Sequence, residues 1–180
     1  KVRSSDKDIQ FVQTRGAKIT NIQPETYKNK VVIKPWGYEF LMFENDCVAV
    51  WYLFIKNGHS TSMHCHPRKK TSLILLYGNA MSNTFLKRRY LKGGDALIVD
   101  KGVFHSTKSL SKLGISLLEI ETPPDKTDLL RLEDRYGRQS SGYEGISEMQ
   151  TRNLNDYNYF AFEETDYHLK HSYSKERFSI

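Results

Sequence analysis

At 180 residues with 38% hydrophobic side chains, the chain is long enough to bury one core and too short to require a second catalytic domain. It contains no apolar run of about eighteen residues and opens with no charged-then-apolar secretory segment, so a soluble, cytoplasmic protein is expected. Cys47 and Cys65 are too few for a disulfide framework.

The net charge of +6 is uneven: residues 139–180 carry four Lys/Arg against seven Asp/Glu, leaving 23 against 14 in residues 1–138. Those basic residues are scattered through strands and hairpins, with no basic helix or ribonucleoprotein motif. Nucleic acid is therefore not the expected partner. A small anionic ligand is, although a merely cationic surface would read the same way. The absence of an initial Met reads as numbering that starts inside a longer gene product.

In chain order, residues 1–30 are polar and read as an arm, with one short strand over Ile9–Val12. Lys34-Pro35-Trp36-Gly37-Tyr38-Glu39 places a bend between two short strands. A hairpin over Tyr38–Glu44 and Cys47–Lys56 then turns at Asn45-Asp46. Val48–Ile55 is apolar on both faces, which suits a strand lying between a core and a partner sheet or second subunit. A homodimer is accordingly expected.

Further strands are predicted over Thr61–His66, Thr71–Tyr77, Asn79–Leu86, Arg88–Lys92, Asp95–Asp100, Val103–Ser109 and Gly114–Glu121. Their spacing is that of a sandwich or barrel. After Pro123-Pro124, either Asp125 or Thr127 can cap a helix running to about Tyr136. The domain reading is thus an arm (1–30), a barrel with its following helix (31–138) and an aromatic-rich extension (139–180) holding five of the eleven tyrosines.

Chemistry concentrates at His64 and His66. Their i, i+2 spacing on a strand turns both imidazoles to one face. His105, preceded by Gly102 and lying in the strand over Val103–Ser109, is placed to supply a third nitrogen, giving a ligand set for Zn, Fe, Ni or Mn. His59 has the opposite parity, and His168 and His171 read as surface residues.

Two stretches resemble the paired motifs of the cupins. Gly58, His64, His66 and Gly78 fall in register with the first, with Thr71 where a Glu ligand is expected. Gly94, Gly102 and His105 match the second, with Asp100 in place of a Pro. The resemblance implies an all-β double-stranded β-helix, or jelly-roll barrel, holding a divalent metal. Lys34–Glu39 and Asp128–Arg138 look, more narrowly, like the cupin isomerase domain of bifunctional mannose-1-phosphate guanylyltransferase/mannose-6-phosphate isomerase.

That likeness implies a metal-dependent isomerase or epimerase of a phosphorylated or nucleotide-linked sugar in surface-carbohydrate synthesis. Glu39 and Arg138 become candidate catalytic residues, and Lys34, Arg68, Lys70 and Arg131 candidate substrate-binding residues. Each has a plainer reading: Glu39 as a solvent-facing strand residue, Arg68 and Lys70 as a charged hairpin tip, and Arg131 as a helix ion-pair member. Three histidines without a carboxylate are also the ligand set of thiol dioxygenases acting through iron(II), and a non-catalytic ligand-binding cupin is a third possibility.

Overall fold

The computed structural model describes residues 1–14, 26–138, 143, 149–156, 171–173 and 176–178. One helix, α1 (Asp6–Thr14), precedes β1 (Lys30–Lys34), β2 (Gly37–Glu44), β3 (Ala49–Ile55), β4 (Met63–Cys65), β5 (Lys70–Tyr77), β6 (Asn79–Thr84) and β7 (Arg88–Lys92). There follow β8 (Ala96–Val99), β9 (His105–Ser109), β10 (Ile115–Thr122), β11 (Leu130–Glu133), β12 (Gln150–Asn153), β13 (His171–Tyr173) and β14 (Glu176–Phe178). None of the described helices is long and apolar enough to cross a membrane.

Two antiparallel sheets face each other. The larger runs β12-β1-β2-β3-β10-β5-β8 and the smaller β11-β4-β9-β6-β7, so from β3 to β12 the chain crosses between the sheets at every step but β6 to β7, in the manner of a double-stranded β-helix. Alternation along β3 explains its doubly apolar sequence. Trp51, Leu53 and Ile55 enter the main core with Leu73, Leu75, Leu97, Val99, Ile115 and Leu117. Tyr52 and Phe54 face the other way, in a second cluster with Val31, Phe40, Tyr38 and Leu118.

Two expectations are corrected here. The helix predicted to run to Tyr136 is instead a turn followed by strand β11, which pairs with β4. Leu130 and Leu132 are both buried in one cluster, a period of two rather than 3.6. Conversely, the strand expected at Ile9–Val12 lies within α1. Asp8 sits in a turn with Ser5, accepting its N–H at 2.8 Å, and Ser5 Oγ accepts the Asp8 N–H at 3.3 Å in return.

The helix then covers an apolar patch: Phe11 and Val12 pack on Cys65, Phe104, Leu130 and Leu132. Asp8, only 3% exposed, also accepts the Phe104 N–H at 2.8 Å. That bond ties the arm to the residue before His105. The arm is therefore integral to the barrel at its start, and β12 adds to the edge of the larger sheet beside β1. Residues 139–142, 144–148 and 157–170, with most of the aromatic extension and His168, lie outside the described residues.

The bend that ends β1 depends on a glycine. A Cβ at Gly37 would stand 1.9 Å from the Phe54 carbonyl oxygen, a backbone atom that cannot yield without distorting the β2–β3 pairing. Gly37→Ala is expected to lower stability by about 3 kcal/mol through this overpacking. A fall in the urea midpoint of unfolding, without a change in slope, checks it.

Candidate metal centre

His64 and His105 are direct cross-strand partners on β4 and β9. His66 follows β4 with the same parity as His64, and the three rings converge with their ligand nitrogens all within 4.8 Å of one another. Ring centroids are 4.6 Å apart for His64–His105, 5.0 Å for His64–His66 and 5.7 Å for His66–His105.

Each ring is oriented by a main-chain carbonyl. Nδ1 lies 2.8 Å from Ser62 O in His64, 2.6 Å from Asp128 O in His66 and 2.9 Å from Val103 O in His105. A carbonyl can only accept, so in all three rings Nδ1–H donates and Nε2 keeps its lone pair for a ligand. His66 Nε2 is buried with no hydrogen-bond partner among the described residues. Three converging lone pairs on fixed rings fit a divalent cation, and carbonyl-anchored imidazoles are the usual second layer of such a site.

Burial is the first cause that depresses the basicity of all three. For His64 the neighbouring His105 and His66 add to it, and for His66 the Lys69 ammonium does. In His105, burial is partly opposed by Val103 O, Glu119 and Asp8. The rings are thus held neutral at physiological pH, the form that binds metal.

Around the triad lies a cavity of about 60 Å3 whose lining includes Lys34, Glu39, Thr61, Ser62, His64, His66, Lys69, Glu119, Glu121, Lys126, Arg131 and Arg138. Five cationic side chains meet three carboxylates there, an excess of two positive charges before any metal is counted. Of the residues singled out from sequence, Lys34, Glu39, Arg131 and Arg138 join His64 and His66 in this cavity. Arg131, directly across from His64 on β11, donates from Nε to Ser62 Oγ at 3.1 Å. Arg138 is braced by both carboxylate oxygens of Asp134.

Glu39 does not face solvent: it is 5% exposed and inside the barrel. Lys126 Nζ lies 3.1 Å and Lys34 Nζ 3.7 Å from its Oε1, which also accepts the Tyr143 hydroxyl.

Arg68 and Lys70, the hairpin residues expected to bind substrate, do not line this cavity. Arg68 is half exposed and pairs with Asp125 at 2.7 Å, outside the cavity, and Lys70 is exposed on the opposite face of β5. The residue between them turns inward: Lys69 is 2% exposed, with Nζ 2.7 Å from Glu121 Oε1 and 2.9 Å from Asp125 O.

Four functional candidates were missed from sequence. Lys126 lies 3.3 Å over the Trp51 ring; burial opposes its charge, but Glu39, Glu121 and Glu119 together raise its affinity for the proton. Glu119 and Glu121 project inward from β10, Glu119 reaching 3.7 Å from His66 Nε2. Asp128, fully buried, accepts the N–H groups of Arg68 and Lys69 at 2.8 and 2.9 Å while its own carbonyl holds His66. Period-two alternation on β10 was the available signal for the two glutamates. For Lys126 and Asp128 the helix reading concealed it.

A larger groove of about 630 Å3 shares Thr61 and Ser62 with this cavity and runs past Met63, Met81, Asn83, Arg88 and Lys108.

No protein-family profile matches the chain. Mannose-1-phosphate guanylyltransferase of Klebsiella pneumoniae is 23% identical over 140 residues, covering 76% of this chain and 28% of its own length. The chain therefore spans little more than a quarter of that relative. Among solved structures, KdgF from Halomonas sp. superposes with a TM-score of 0.51 at 13% identity, over 58% of this chain and 96% of that one. The capsular polysaccharide assembling protein CapF from Staphylococcus aureus gives 0.53 at 16% identity, over 58% and 34%. The fold is that of a cupin. In this barrel the histidine triad sits between the two sheets, with the charged cavity opening beside it.

The lowered basicity of the triad fixes a pH response. The unfolded chain binds protons at its histidines below about pH 6.5 whereas the folded one resists them, so falling pH favours unfolding. Metal-free protein is expected to hold a constant melting temperature above pH 7 and to lose stability as pH drops below about 6.5. Thermal unfolding in chelator at pH 7.5 and 5.5 tests the sign.

Proposed function

We propose that this cupin is a metal-dependent enzyme acting on a phosphorylated or nucleotide-linked sugar, as an isomerase or epimerase in surface-carbohydrate synthesis. The observation that carries the reading is the juxtaposition of a three-histidine cluster, two of its rings buried, with a cavity holding two excess positive charges. The similarity to mannose-1-phosphate guanylyltransferases and the CapF-like fold support the sugar class.

A bound divalent ion would be held by His64, His66 and His105, and would polarise a carbonyl or hydroxyl of the sugar. Lys34, Lys126, Arg131 and Arg138 supply the positive field that neutralises and orients the anionic group. Fixing that end sets the sugar carbons at a defined height over the triad. Glu39, inside the cavity, is the carboxylate proposed to carry the proton between adjacent carbons, with Lys126 and Tyr143 holding its position. Arg138, braced by Asp134, stabilises negative charge as it develops. The adjoining groove gives the remainder of a nucleotide-linked substrate a place to lie. The protein is also proposed to be a cytoplasmic homodimer, associating through the aromatic face that carries Tyr38 and Phe54.

Incubation with candidate phosphosugars and nucleotide sugars in deuterated water is expected to exchange a substrate C–H proton. No exchange with any of them, or substrate-dependent oxygen uptake with bound iron, would remove proton-transfer isomerisation in favour of the dioxygenase reading. Loss of one charge-assisted contact costs about 1.5–3 kcal/mol, so Lys126→Met should weaken phosphosugar binding by roughly 10- to 100-fold. Arg68→Gln, outside the cavity, should leave affinity within about twofold. Calorimetric titration of both variants checks the contrast.

A further inference from the structure

Resting on the metal reading above, we propose that Glu119 is the fourth ligand of the centre, supplied by β10 in place of the carboxylate that β5 lacks at Thr71.

His66 donates through Nδ1 to Asp128 O, so the lone pair at its Nε2 points into the cavity, where Glu119 Oε1 lies 3.7 Å away. That distance is too long for a hydrogen bond, so a proton on Nε2 would not satisfy the contact. Two electron-rich atoms facing each other in a buried site repel unless a cation lies between them. Both side chains are largely shielded, at 7% and 12% exposure, so water does not screen the pair. The spacing suits a shared ion: two ligands bonded at about 2.1 Å to a tetrahedral metal stand roughly 3.4 Å apart.

The other carboxylates of the cavity are engaged elsewhere. Glu121 holds Lys69 at 2.7 Å, and Glu39 takes Lys126, Lys34 and the Tyr143 hydroxyl. Glu119 is the acid that reaches His66, at 3.7 Å. Thr71 leaves space for this arrangement: it is 1% exposed, its hydroxyl has no hydrogen-bond partner among the described residues, and it pairs with Glu121 on β10. Two residues along that strand, on the same face, stands Glu119. The negative charge is thus moved to the neighbouring strand. A three-nitrogen, one-carboxylate set suits Zn, Mn, Fe(II) or Ni and lowers the charge of the centre by one, unlike a neutral triad.

The test uses the full chain stripped with chelator and titrated calorimetrically with Zn2+ and with Mn2+. Glu119→Gln keeps the shape and removes the charge; affinity should fall at least tenfold, while the melting temperature of the metal-free protein stays level or rises as the repulsion is relieved. Glu119→Asp, which keeps a shorter carboxylate, should fall between wild type and Glu119→Gln. Glu119→Gln binding within twofold of wild type, while His64→Ala loses binding, would overturn the assignment and leave the metal reading standing. A lower metal-free melting temperature with unchanged affinity would mark Glu119 as structural and overturn it equally. If the wild type takes up neither ion, the metal reading itself fails.

Discussion

The donation of three imidazole Nδ1–H groups to main-chain carbonyls is the constraint around which the interior is built. Each bond fixes a ring's orientation as well as its tautomer, and each carbonyl belongs to a different piece of chain: the entry to β4, the turn before β11 and the turn before β9. Convergence of the rings therefore requires all three pieces to be in place at once. The β4–β9 pairing sets His64 against His105, and β11 pairing on β4 brings Asp128 over His66. A change in any of these pairings would swing a lone pair away from the common point.

The second constraint is electrostatic. Buried charges are costly unless each finds a partner, and this barrel interior holds several within a few ångströms of an apolar core. The solution is pairwise: Lys69 with Glu121, Lys126 and Lys34 with Glu39, Arg138 with Asp134. These pairs hold side chains rigidly around a small cavity, which is the arrangement a site needs to orient an anionic ligand without reorganising. They also leave a formal positive excess, because five cationic side chains line the cavity against three carboxylates.

The segments flanking the barrel matter as much as the barrel itself. Gly37 lets the chain pass close over Phe54, and so Lys34 and Glu39 both reach the inside. On the other side, the run from Asp125 to Arg138 delivers Lys126, Asp128, Arg131 and Arg138 along one edge of the cavity. The N-terminal helix closes the far side of the smaller sheet and holds Phe104 through Asp8, one residue from His105. Lys34–Glu39 and Asp128–Arg138 are the two stretches that resembled a sugar-phosphate isomerase domain, and the fold places both against the same triad.

Much of this was legible in the chain itself. Strands of period two, glycines at the turns and the His-x-His spacing determine the barrel class and place His64, His66 and His105 on inward faces, because alternation in a strand is a local property of the backbone. The same local rule failed for residues 125–136, where Leu129, Leu130 and Leu132 match a helix face nearly as well as a strand, and only pairing with β4 decided between them. It also could not show that Lys69 turns inward while Arg68 and Lys70 do not, since a hairpin's twist depends on Asp128 reaching it from about sixty residues away in sequence. The loss of a carboxylate at position 71 was visible in the sequence. That Glu119 stands beside the triad was settled by the neighbouring strand, because distance across a sheet is set by register and not by position along the chain.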